Sequence, residues 1–171
     1  MSLELRRIKE SDDQVLAGII RQTLAEFGAN HKGTVYDDPS TDQLSRIFTA
    51  EGSLYYVAEL NGKIVGGGGL FPTDGLPPAT CEFVKMYLLP EARGLGIGRA
   101  LIEKNLEKAR ELGYVQVYLE SMPELKTALS LYEKFGWVYL NGPLGNSGHT
   151  GCSRWMLRPV NLPTLPPHTQ D

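Results

Sequence analysis

The chain has 171 residues, about the length of one domain, and its 42% apolar and 22% charged residues give it both a core and a hydrated surface. Seventeen Lys and Arg against 20 Asp and Glu leave a formal net charge of −3, which excludes the basic face a nucleic-acid binder needs to neutralise phosphates. No apolar run approaches the ~20 residues of a membrane span, residues 1–7 lack the basic-then-apolar order of a signal peptide, and Cys81 and Cys152 form neither a disulfide framework nor a CxxC pair. The expectation is a reduced, cytoplasmic α/β protein with no membrane and no nucleic-acid partner: a single domain over residues 1–160, followed by a Pro-rich tail over 161–171.

Residues 3–9 form a short strand candidate. Ser11-Asp12-Asp13-Gln14 has the spacing of a capping box, with Ser11 at the helix start and Gln14 reaching back. Val15, Leu16, Ile19, Ile20, Leu24 and Phe27 then recur at helical spacing. Residues 28–39 are loop-like, and a shorter helix is predicted over 41–49.

Two strand candidates, 54–60 and 63–71, flank Asn61-Gly62, the dipeptide suited to a type I′ hairpin turn. The second contains Gly66-Gly67-Gly68-Gly69, which is either a weak, twisted strand or a place where another backbone comes close. A Pro/Gly turn over 73–78 precedes a strand at 80–89 that Pro90 ends. A helix is predicted from 98 to 112, closed by Gly113, and a strand over 115–120. Ala128, Leu131, Tyr132 and Phe135 lie on one face of a helix starting near 124 and closed by Gly136. The last strands, 137–140 and 153–158, enclose a Gly/Asn loop at 141–151.

The chemistry concentrates in Arg93-Gly94-Leu95-Gly96-Ile97-Gly98-Arg99, a glycine-rich turn from a strand into a helix. Glycines let backbone N–H groups converge on an anion, and the helix start adds partial positive charge. A dinucleotide fingerprint is excluded because Arg99 occupies the place of the third glycine, and a Walker A loop because no Gly-Lys-[Ser/Thr] tripeptide occurs. The spacing Arg93-x-x-Gly96-x-Gly98 instead resembles the pyrophosphate loop of the GNAT acyltransferase superfamily. Lys85-Met86-Tyr87-Leu88-Leu89-Pro90 upstream resembles that family's fourth strand, and Leu131-Tyr132-Glu133-Lys134-Phe135-Gly136-Trp137 downstream its LYEKxGF-type segment. The order of elements fits from Leu3 to Arg158. A narrower likeness, to uncharacterised bacterial small-molecule acetyltransferases, rests on Gly66 to Gly69, Tyr118-Leu119-Glu120 and Gly145-Asn146-Ser147-Gly148-His149.

The resemblance implies an α+β fold, with a mixed, mostly antiparallel sheet splayed between its fourth and fifth strands and about four flanking helices. It also implies acetyl-CoA as cosubstrate. The backbone of Met86, Tyr87 and Leu88 would pair with the pantetheine arm, and Arg93, Gly94, Leu95, Gly96, Ile97, Gly98 and Arg99 would hold the pyrophosphate. The implied activity is transfer of acetyl to a primary amine of a small molecule or amino-acid-like acceptor by direct attack in a ternary complex; the alternative is a non-catalytic acetyl-CoA sensor or partner-binding domain. Homodimers are frequent in the family, and a homodimer is carried over as an expectation. One position departs from the pattern: Leu125 stands where the family often has an Asn that bonds the pantetheine amide, leaving backbone, Ser121 or Lys126 to supply that contact.

Amide formation requires a base for the ammonium proton, a donor for the developing oxyanion, and a proton for the departing thiolate. Tyr132, the motif tyrosine, fits the last role and otherwise belongs to the core. Strand alternation groups Glu82 with Val84, Met86 and Leu88, opposite Cys81, Phe83, Lys85 and Tyr87. Glu82 is then a carboxylate on an apolar row and the candidate base, unless it is a solvated strand end. Glu120 is its rival, or a counter-charge for the acceptor. The oxyanion donor is assigned to a backbone N–H within residues 86–88. Tyr118 and His149 are further acceptor-side candidates, each with a plain structural alternative in the core or loop. Phe27 and Tyr36 are pocket-wall or core aromatics. Neither cysteine has a base partner, and the three histidines do not cluster with cysteines into a metal site.

Overall fold

A computed structural model describes residues 1–163; residues 164–171 of the Pro-rich tail lie outside the described part. Strand β1 (Leu3–Arg7) ends before a single 3-10 turn, Glu10–Asp12, and helix α1 (Asp13–Glu26) follows. The cap differs from the expected one. Asp12, rather than Ser11, organises the turn: it accepts from the Lys9 N–H at 2.7 Å and from the Arg6 guanidinium at 2.8 and 2.9 Å. Asp12 is buried while Ser11 is exposed, and charge-assisted hydrogen bonds are roughly twice as strong as neutral ones. Along α1 the predicted stripe buries Leu16, Ile19, Ile20 and Leu24, whereas Val15 and Phe27 stay exposed. The 41–49 stretch is helical in two pieces, a 3-10 turn at Pro39–Gln43 and helix α2 (Leu44–Ile47).

Strands β2 (Leu54–Leu60) and β3 (Lys63–Phe71) form the predicted hairpin. Asn61 and Gly62 both take positive φ, 52° and 79°, as a type I′ turn demands. After β4 (Thr80–Leu88) come helix α3 (Ile97–Glu111), β5 (Gln116–Ser121), helix α4 (Lys126–Lys134), β6 (Val138–Tyr139) and β7 (Arg154–Pro159). The seven strands make one sheet in the order β1-β2-β3-β4-β5-β7-β6. All neighbours are antiparallel except β4 and β5, which pair in parallel from Thr80–Gln116 to Glu82–Tyr118. Beyond those residues the two strands have no mutual pairing.

Alternation in β2 feeds two cores. Leu54, Tyr56 and Ala58 pack with α3 and α4 on one face, and Tyr55 and Val57 with α1 and α2 on the other. The glycine run of β3 is a site of close approach, not a weak strand. A Cβ on Gly67 would stand 2.5 Å from both the Tyr55 ring and the Tyr56 carbonyl oxygen, and one on Gly69 would stand 2.4 Å from the Leu54 carbonyl oxygen. Across the bare backbone the fully buried Tyr55 donates from its hydroxyl to the Lys85 carbonyl of β4 at 2.9 Å.

That bond holds a bulge. Gly67 pairs with Tyr87 and Gly69 with Val84, so Lys85 and Met86 together face Gly68 alone. Lys85 takes φ 55°, a left-handed conformation costly for a side chain with a Cβ. The uniform alternation expected along β4 therefore fails at this point. Met86 and Leu88 pack on the face of Cys81 and Phe83, whereas Tyr87 joins Val84 on the opposite face.

Gly67→Ala forces a methyl into the Tyr55 ring and should lower unfolding free energy by about 2 kcal/mol or more. Gly18→Ala, exposed in α1 with no neighbour near its Cβ, should raise it by roughly 0.5–1 kcal/mol. Urea unfolding of both variants checks the contrast, and a harmless Gly67→Ala would contradict the close packing.

Candidate active site

The crevice opened by the parting of β4 and β5 is a cavity of about 340 Å³. One wall is the β4 edge, including Met86, Tyr87 and Leu88, and one end is the turn that starts α3, including Arg93, Gly94, Gly96, Ile97, Gly98 and Arg99. Gly96 caps α3 with φ 79° and no side chain bonds the helix start, so the first-turn N–H groups keep no partner within the helix. Gly94 and Gly96 both have positive φ, and no atom lies within 4 Å of where their Cβ would stand. This open, donor-lined end suits an anion. Leu95, grouped with the same loop from the sequence, is instead 45% exposed and outside the cavity.

Arg93 borders the cavity and also has local partners. Its guanidinium bonds Glu26 at 2.7 and 2.9 Å and the Leu88 carbonyl at 3.0 and 3.1 Å, and lies 4.9 Å from the Phe27 ring centroid. It thereby ties α1 to the end of β4 and fixes the loop in place. Arg99 donates to Glu103 at 2.9 Å while still bordering the cavity.

Glu82, at the point where the strands part, is 3% exposed and borders the cavity. Burial pushes its carboxyl up to about 7; Thr73, donating to Oε1 at 2.7 Å, pulls down, Glu120 pushes up and Lys85 pulls down. It is not a solvated strand end. Tyr132 borders the same cavity, its ring edge-on to Phe83 and to Trp137, and burial holds its phenol protonated well above the ordinary range.

Glu120 uses both oxygens. Tyr118 donates to Oε2 at 2.7 Å and Ser147 to Oε1. Tyr118 itself is fully buried behind the cavity wall, accepting from the Leu144 N–H at 3.1 Å. His149 borders the cavity, but its Nε2 meets Asp38 Oδ2 at 3.0 Å. Burial alone would raise Asp38; hydrogen bonds from Ser40 and His149 outweigh it and hold the carboxyl down at about 2. With Gly151 N–H donating to the Gly33 carbonyl at 2.8 Å, this pair joins the 28–38 and 141–152 loops into a roof.

Lys85 also borders the cavity and was not singled out from sequence, because unbroken alternation placed it opposite Glu82. Thr73 and Asp38 are equally unforeseen, since loop contacts leave no spacing signal, and Ser147 stood only inside the Gly145 to His149 stretch with no role of its own. Leu125 packs in the core with α1 and touches the cavity, with Ser121 and Lys126 beside it. Burial pushes the Cys81 and Cys152 thiols up to about 12, leaving no thiolate nucleophile at neutral pH. Among the described residues, no group of three or more His, Cys, Asp and Glu is placed to hold a metal ion, and no helix is long and apolar enough to cross a membrane.

The sequence pattern of the acetyltransferase (GNAT) family matches residues 20–137, well over half of the chain. The chain belongs to the GNAT acetyltransferase family. It is 40% identical over 155 residues to the uncharacterised N-acetyltransferase YjgM of Escherichia coli, covering 90% of this chain and 93% of that one. It is 34% identical over 107 residues to an IAA acetyltransferase of Azospirillum brasilense, covering 62% and 67%. In structure it is similar to a GNAT acetyltransferase of Staphylococcus aureus (TM-score 0.82, 21% identity, 94% and 100% coverage). It is also similar to the PaiA N-acetyltransferase of Thermoplasma acidophilum, solved with coenzyme A (TM-score 0.72, 17% identity, 93% and 99% coverage). Two further GNAT-fold neighbours, a phosphinothricin acetyltransferase of Sinorhizobium meliloti and YncA of Salmonella typhimurium, were solved with acetyl-CoA, and the open β4 edge and uncapped α3 start fit that molecule's amides and diphosphate.

Glu82 carries a stability signature. An unfolded glutamate loses its proton near ~4.3, whereas the folded one keeps it to about pH 7. Its contribution is full below the unfolded value and declines as pH rises through the window between them. Glu82→Gln removes the decline, so its stability relative to wild type should be on the order of 2–3 kcal/mol better at pH 8 than at pH 4. Unfolding curves at both pH values test this; parallel pH dependence in the two proteins contradicts it.

Proposed function

We propose that this chain transfers acetyl from acetyl-CoA to the primary amine of a small or amino-acid-like acceptor by direct attack in a ternary complex. One observation carries the reading: a buried carboxylate titrating near neutrality, Glu82, shares one cavity with the protonated phenol of Tyr132. A base and an acid with separated pKa values are what amide formation from an ammonium requires. The roof formed by the 28–38 and 141–152 loops favours a small acceptor over a protein tail.

When bound, acetyl-CoA supplies an activated acyl group as a thioester. The chain's own groups do the rest. First-turn N–H groups of α3, with the backbone from Gly94 to Gly96, hold the diphosphate, and the unpaired β4 edge holds the extended arm through its backbone. Glu120, whose oxygens accept from the Tyr118 and Ser147 hydroxyls, holds the acceptor's ammonium by charge. Glu82 takes the proton that blocks the amine lone pair. A β4 backbone N–H at residues 86–88 bonds the carbonyl oxygen as negative charge grows there. Tyr132 Oη gives a proton to the departing sulfur.

CoA release measured across an amine panel tests the reading. Glu82→Gln should lower kcat by ~10²-fold or more and flatten the low-pH limb of the rate profile near pH 7. Tyr132→Phe should lower kcat by about tenfold or more with little change in the KM for acetyl-CoA. If acetyl-CoA binds and no amine turns over, the chain is a sensor. If either variant matches wild type with chemistry rate-limiting, that residue's role is wrong.

A further inference from the structure

Lys85 sits in the bulge of β4 and borders the same cavity as Glu82 and Glu120. Its backbone is costly at φ 55°, and Tyr55 fixes it there through the carbonyl. Strain of this kind persists where the surroundings over-determine it, and it clusters at ligand sites. The side chain borders the cavity, with Asp38 and Glu82 as the carboxylates whose charge it feels.

Neither is its partner. Among the described residues Lys85 makes no ion pair within 4 Å and no side-chain hydrogen bond. Asp38 is engaged by His149 at 3.0 Å and by the Ser40 N–H at 2.9 Å. Glu82 is engaged by Thr73 and is half protonated near neutrality. Glu120, the second carboxylate that borders the cavity beside Glu82, already accepts from two hydroxyls. An ammonium taken partly out of water is costly without a counter-ion; Lys85 is half-buried, burial lowers its affinity for the proton, and the charges of Asp38 and Glu82 oppose that lowering. An anion arriving with the acceptor completes the set.

We propose that Lys85 is a specificity residue that binds a carboxylate on the acceptor, so that the preferred substrates are amines that also bear an anionic group, as amino acids do. This deepens the acetyltransferase reading and rests on it. The acceptor's ammonium meets Glu120 and Glu82 while its carboxylate meets Lys85. Acid and base groups at one end of the cavity then read a zwitterion, and a simple alkylamine leaves Lys85 unpaired.

Matched acceptor pairs test it in the full-length chain: L-α-amino acids, β-alanine and γ-aminobutyrate, each against its carboxamide. At least one carboxylate should exceed its carboxamide tenfold or more in kcat/KM, chiefly through KM. Lys85→Met should bring that ratio close to one, and Lys85→Arg, which keeps the charge, should restore most of it. A second readout needs no turnover: calorimetry with the N-acetyl amino acids and N-acetyl carboxamides in the presence of CoA should show the same preference in wild type and lose it in Lys85→Met. Equal carboxylate and carboxamide values in wild type, or a preference that survives Lys85→Met, overturns the proposal. A binding preference without turnover of any amine leaves the anion site standing and sinks the acetyltransferase reading instead.

Discussion

Parallel pairing between β4 and β5 stops at Glu82 and Tyr118, and the working parts of this protein follow from what that leaves open. A buried backbone amide must find a partner. From Phe83 to Leu88 one edge of β4 has none in the sheet, so the edge is available to an extended chain bearing amides of its own. Continued pairing would have produced a closed sheet with no crevice. The glycine-rich turn closes the far end of the same crevice with the first turn of α3, where a helix leaves its N–H groups unsatisfied.

What keeps the strands apart is a short chain of contacts running through β3. Gly67 and Gly69 carry no side chain, so Tyr55 lies across them and its hydroxyl reaches the Lys85 carbonyl. That bond fixes the bulge, the bulge reverses the facing of every β4 residue after it, and Met86 and Leu88 swing toward α3. Arg93 adds a second brace by bonding both Glu26 and the Leu88 carbonyl. The site thus rests on packing in β2 and β3 and on α1, elements that hold no reacting group. Two carboxylates border its acceptor end, Glu82 shaped by burial and Glu120 bonded by Tyr118 and Ser147, while Asp38 stands beyond the cavity lining on His149.

Much of this was legible in sequence wherever a residue's role depends on its near neighbours. The stripe from Leu16 to Leu24, the Asn61-Gly62 turn and the strand-to-helix glycines each express local periodicity or backbone freedom, and each appears where expected. Glu82 was found because a carboxylate on an apolar row is an anomaly that alternation exposes. The same alternation misplaced Lys85, Met86 and Leu88, since a bulge depends on a bond from another strand and leaves no local mark. Ser11 lost the helix start to Asp12 because Arg6, on the neighbouring strand, favours a charge there. Arg158, at the end of the strand expected over 153–158, carried no sequence signal of its role: it is fully buried and donates to the carbonyls of Phe135, Pro159 and Leu162. Such long-range pairings, like those of Asp38 and Ser147, exist only once the loops have met.

The central claim is that backbone donors at the start of α3 grip a diphosphate. Titration calorimetry with CoA, with pantetheine, which keeps the amide arm and thiol but lacks the diphosphate and the 3′-phosphoadenosine, and with 3′-phosphoadenosine alone as the control for that part, addresses it most directly. CoA should bind with micromolar affinity and pantetheine at least ~100-fold more weakly, a difference of about 2.7 kcal/mol. Equal affinities for CoA and pantetheine, or no uptake of CoA, would contradict the account.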